Sequence, residues 1–86
     1  MTDPGPERIA EALRARLDRG TSACPSEIAR ALRPDDWRAL MDPVRAVAAD
    51  LAARGELEVT QGGRPVDPAR AHGPVRYRKP GGTGAG

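Results

Sequence analysis

The chain has 86 residues, 38% of them apolar, with no Phe and a single Trp, Tyr, Cys and His. That suffices for one small domain with an aliphatic core. It leaves no stretch near the roughly 20 apolar residues of a membrane-spanning helix, and one cysteine rules out an internal disulfide. Net charge is only +2, yet residues 1–59 carry nine Lys/Arg against eleven Asp/Glu, while residues 60–86 carry five against one. Positive charge is therefore concentrated near the C-terminal end, where its attraction for phosphate would act over about a Debye length.

The start, MTDPGPER, is polar and acidic and does not read as a secretory signal. With the lone cysteine, it gives the expectation of a cytoplasmic protein. Residues 1–5 and 80–86 are rich in Gly and Pro without apolar anchors and are expected to be flexible tails. The folded domain is expected over residues 6–79.

A first helix is predicted from Pro6 to Arg19. Ile9, Leu13 and Leu17 recur every fourth residue, with Ala10 beside them, and form one apolar stripe. Pro6 suits a first helical turn, where its missing N–H is not needed. Gly20 supplies the stop. A second, short helix is predicted over Pro25–Leu32, with Cys24 at its cap, Glu27 in its first turn and Ile28, Ala31 and Leu32 facing inward. Thr21 to Cys24 would add a short edge strand. Cys24 is expected to be an ordinary packing thiol, because no Lys, Arg or second Cys lies near it in the sequence.

Pro34-Asp35-Asp36 starts a new turn with an aspartate as cap. Trp37, Leu40 and Met41 share one face, and Trp37 is expected to be a core anchor. Pro43 interrupts the pattern, since proline clashes with the carbonyl four residues back inside a helix. A short turn over 36–41, a second cap at Asp42 and a third helix from Pro43 to Arg54 are predicted. A kinked continuous helix over 36–54 is the alternative. The stripe of the third helix is Val44, Val47, Ala48 and Leu51, and Gly55 ends it.

Leu57 and Val59 then alternate with charged residues, as do Val75 and Tyr77, which is the period of half-buried strands. Arg76 and Arg78 would lie on the outer face of this pair. Gly62-Gly63 signals a turn, and the connection over 62–73 is expected to fold over the surface in turns. His72, within it, is expected to be exposed. The order of elements is that of an α+β, mostly α, winged helix: a three-helix core with a small antiparallel β-wing.

The segments CPSEIARAL, PDDWRALM, VRAVAADLAARGELEVTQGGRPVDP and GPVRYR, spanning about residues 7–79, resemble a family of small uncharacterised bacterial proteins classed as a domain of unknown function. The resemblance implies a winged-helix-like fold. It implies no substrate, catalytic residue or partner.

Catalysis finds little support in the residues. The single His and Cys lack metal-ligand spacing, and no Gly-rich loop opens a helix as a phosphate cradle does. Asp35-Asp36 and Glu56/Glu58 are explained by capping and by a solvated strand face. A non-enzymatic protein without cofactor or metal is expected. The winged-helix order points to double-stranded DNA, with phosphate contacts from Arg45, Arg64, Arg70, Arg76, Arg78 and Lys79. The outward positions of the third helix are Ala46, Ala49, Asp50 and Ala53, a poor set for reading base edges. That alanine-rich face supports an alternative: a homodimer or protein-partner module in which another helix approaches closely.

Overall fold

A computed structural model describes residues 4–71 and 73–80. Most of the two expected tails, and His72, lie outside the described residues. Three helices, α1 (Pro6–Asp18), α2 (Pro25–Leu32) and α3 (Met41–Ala53), precede three short strands, β1 (Glu58–Gln61), β2 (Arg64–Pro65) and β3 (Arg76–Arg78). The strands form an antiparallel sheet in the order β2-β1-β3. The architecture is α+β and mostly α.

The helices form where the apolar period and the punctuation agree. Helix α1 buries Ile9, Ala10, Leu13 and Leu17 and starts on a proline. At its end the Gly20 N–H donates to the Leu17 carbonyl at 2.9 Å. Helix α2 also starts on a proline, and the Cys24 backbone N–H at its cap donates to the Glu27 carboxylate at 2.8 Å. Helix α3 ends in a Schellman arrangement: Glu56 N–H donates to the Leu51 carbonyl at 2.8 Å and Gly55 N–H to the Ala52 carbonyl at 3.0 Å. Gly55 sits there at φ 77°, a left-handed conformation in which a Cβ is strained.

The stretch before α3 differs from the sequence expectation. A 3₁₀ turn over Trp37–Leu40 runs directly into α3, which starts at Met41 rather than Pro43. Leu40, not Asp42, takes the cap position. The proline is tolerated because it falls in the first helical turn, where N–H groups have no intrahelical carbonyl to bond. The alternative of one continuous but irregular helix was nearer to the observed course. Asp36 does stand at the cap of the 3₁₀ turn, but its side chain makes no capping hydrogen bond. Its carboxylate lies 3.9 Å from Arg33 instead.

The core is one cluster shared by all three helices and the sheet. Leu13, Ala23, Ala29, Leu40 and Val44 are fully enclosed, and Ile9, Leu17, Ile28, Ala48, Leu51, Leu57, Val59 and Tyr77 are buried around them. Leu32, Trp37 and Val47 were expected in the core but are only partly buried against it. Four alanines, Ala10, Ala23, Ala29 and Ala48, are buried in the same cluster. Trp37 lies at the margin of this cluster, packed against it rather than enclosed.

Tyr77 ties the sheet to the helices. It faces Val59 of β1 in the strand register. It also forms an isolated bridge with Ala23, through N–H···O bonds of 3.0 and 2.6 Å in the two directions. The expected edge strand at Thr21–Cys24 is thus reduced to that bridge. On the other side of β1, Gly62 and Gly63, both at positive φ, turn the chain back into β2. This is the two-residue hairpin that right-twisted strands favour. The following loop is pinned by Asp67, whose carboxylate accepts the Ala69 N–H at 2.9 Å and whose carbonyl accepts from Arg70 and Ala71.

Glu27 joins α1, α2 and the sheet. Besides the Cys24 N–H, it accepts the Arg16 guanidinium at 2.9 Å and lies 3.7 Å from that of Arg76. The Cys24 backbone and side-chain contacts hold its carboxyl below the usual carboxylate range, with Arg16 adding to them and partial burial opposing. A carboxyl depressed in the folded state adds stability above its unfolded pKa and loses it as pH falls through the folded value. Glu27→Gln should therefore be less stable than the parent at neutral pH. The difference in urea midpoint should shrink as pH drops below the carboxylate range. A pH-independent difference would assign the effect of Glu27 to packing.

Candidate nucleic-acid interface

Each basic residue singled out in the sequence can be placed, and most have found carboxylates. Arg78 and Glu58 face each other across β3 and β1 and pair at 2.6 Å. Arg76 reaches back to the start of α2, donating to the Ser22 hydroxyl at 3.0 Å and lying near Glu27. Lys79 lies 3.3 Å from Asp18, and Arg70 lies 3.9 Å from Asp67. Arg64 is exposed on β2 beside the hairpin tip, and Arg45 is exposed on α3. Neither has a carboxylate partner among the described residues. Of the five cations of the C-terminal segment, three are thus matched by acidic groups from elsewhere in the chain and Arg70 by Asp67 within the segment.

Across the whole domain, Arg8, Arg19, Arg30, Arg38, Arg45 and Arg64 have no ion pair among the described residues. Four of these, Arg8, Arg19, Arg30 and Arg38, were not among the candidates in the sequence reading. Arg30, in the last turn of α2, and Arg38, in the 3₁₀ turn, both lie against the Trp37 ring, with guanidinium carbons 4.5 and 4.8 Å from its centroid. Each contact contributes about 0.5–1 kcal/mol at an exposed site. The ring holds two like charges near each other at the corner where α2 passes into α3. The only sequence signal was the density of Arg around Trp37 in RALRPDDWR.

Of the four outward positions of α3, Ala46, Asp50 and Ala53 are exposed and Ala49 is partly buried, and they form a ridge between two grooves. Ala46 and Asp50 line a groove of about 470 Å³ against α1, with Pro6, Ala10, Val47 and Leu51. Ala49 and Ala53 line a second groove of about 400 Å³, against Val66 and Pro68 beyond β2. Asp50 is paired with Arg54 at 3.2 Å. No hydrogen-bonding reader of base edges projects from this ridge apart from Arg45 on its flank.

Among the described residues, no group of three or more His, Cys, Asp or Glu is placed to hold a metal ion. No helix there is long and apolar enough to cross a membrane. The Cys24 thiol is partly buried, with its sulfur 3.2 Å from the Ser26 hydroxyl.

The model of a family described as "Protein of unknown function (DUF3253)" matches residues 4–80. The chain belongs to this family. The match covers every helix and strand described above, so DUF3253 corresponds here to the whole folded unit. No curated protein matches the chain.

Proposed function

We propose that this domain is a non-catalytic winged-helix module that binds double-stranded DNA mainly through phosphates. What supports the reading is the distribution of unmatched guanidinium groups. Arg30, Arg38, Arg45 and Arg64 lie on α2, the 3₁₀ turn, α3 and the hairpin, the elements a winged helix presents to DNA. Helix order, the Ala23 bridge and the β1–β2 hairpin fit that layout. Asp35 and Asp42 stand among these arginines, so the field is moderate, and sequence-independent affinity should be correspondingly weak.

A short duplex titrated at low salt tests this. Replacing Arg30, Arg38, Arg45 and Arg64 together with Ala should weaken binding similarly on unrelated sequences. The slope of log K against log salt should flatten by about one unit per lost phosphate contact. Replacing Arg76 and Arg78, already engaged by Glu27 and Glu58, should change the slope much less. Absence of duplex binding by the parent at low salt would sink the proposal. The alternative, a homodimer or protein-partner module, rests on the alanine-rich face of α3 (Ala46, Ala49, Asp50 and Ala53), with the α1–α3 groove beside Ala46. It calls for concentration-dependent association that Ala46→Arg abolishes.

A further inference from the structure

Tyr77 is 2% exposed, yet its hydroxyl has no hydrogen-bond partner among the described residues. It is not sealed from solvent either, since no side-chain polar atom there is both fully buried and unbonded. Tyr77 forms part of the wall of a cavity of about 210 Å³ between α3, the sheet and the loop after β2. The other walls are Val59, Pro68, Ala71, Gly73 and Val75, and Arg45 stands at the same cavity. The space is several times the roughly 30 Å³ share of one water. It is below the roughly 300–1,000 Å³ of sites that take drug-sized ligands.

We propose that this cavity binds a small organic monocarboxylate, with Arg45 on the carboxylate, the Tyr77 hydroxyl as second donor and the aliphatic walls around a short apolar body. A planar guanidinium without a carboxylate of its own matches that group in charge and in fork geometry. Val59, Pro68, Ala71 and Val75 provide an apolar lining that suits a short apolar body, and among the described residues Arg45 is the one cation at this cavity. Burial pushes the Tyr77 phenol up to about 12, against the opposing field of Arg45. The hydroxyl therefore keeps its proton at neutral pH and acts as a donor.

The site shares Arg45 with the DNA reading but does not depend on it, and is tested without nucleic acid. Amide shifts of the full-length ¹⁵N-labelled chain are followed during titration with benzoate, butyrate, inorganic phosphate and benzyl alcohol. Benzoate or butyrate should give saturable shifts confined to amides around Arg45, Val59, Gly73 and Tyr77. Tyr77→Phe and Arg45→Gln should each weaken that binding about tenfold or more, while keeping the parent's urea midpoint. Phosphate and benzyl alcohol should bind more weakly than the carboxylates. Shifts that fail to saturate, equal affinity in the two variants, or benzyl alcohol binding as tightly as benzoate would each overturn the proposal. Phosphate binding as tightly as benzoate would overturn the assignment to a carboxylate.

Discussion

Tyr77→Ala should leave little folded protein at room temperature. The ring is almost wholly enclosed, faces Val59 across the sheet and stands where β3 bridges to Ala23. Removing a buried aromatic side chain costs about 3–5 kcal/mol through lost transfer free energy and the cavity left behind. Total stability of small domains starts at about 5 kcal/mol. An aliphatic core without phenylalanine places this one near that end, so the substitution removes most of the margin. Tyr77→Phe is the contrasting variant. It keeps the ring and deletes a hydroxyl that bonds nothing among the described residues, so its urea midpoint should match the parent's. A large loss in Tyr77→Phe would mean that the hydroxyl has a structural partner.

Leu13→Ala should be the next most damaging change, and more damaging than Leu51→Ala. Both residues belong to the seam between α1 and α3, and Leu→Ala in a core costs about 2–5 kcal/mol. The spread depends on how far the surroundings can close over the gap. Leu13 has no exposed surface and borders none of the grooves described above. Leu51 is 3% exposed and lines both the α1–α3 groove and a second one beside Lys79. Its neighbours can relax from the open side, and water can enter the space left behind. Leu13→Ala should therefore fall near the upper end of the range and Leu51→Ala near the lower, read as urea midpoints at constant slope. The reverse order would show that the groove edge is rigid.

The elements were legible because their signals are local. Leucine and isoleucine at helical spacing, prolines at helix starts and Gly20 and Gly55 at helix ends all act within a turn or two of the residue concerned. The hairpin at Gly62-Gly63 was legible for the same reason. Trp37 was read as a core residue because size and spacing favour burial. It lies instead at the core's edge with Arg30 and Arg38 against its ring, contacts that no period reveals. Pro43 was read as a break, although the same residue is harmless two positions into a helix.

The candidate interface was less legible because charge neutralisation is not local. Arg14 finds Glu56, and Arg76 finds Ser22 and Glu27, across most of the chain. A run of basic residues therefore says little about the field that remains after folding. That the Tyr77 hydroxyl finds no partner among the described residues was equally out of reach, since only the fold reveals which donors meet acceptors.

The two aromatic side chains give this protein separate optical reporters. Tyr77 absorbs from inside the sheet–helix junction, while Trp37, the single indole, emits from a partly open corner beside two guanidinium groups. Excitation at the red edge of the indole band therefore samples the passage from α2 to α3 rather than the strands. An unfolding curve taken from that emission should coincide with one from far-ultraviolet dichroism only if this corner separates together with the sheet. Without any added dye, the same emission would register a ligand that draws Arg30 or Arg38 off the ring.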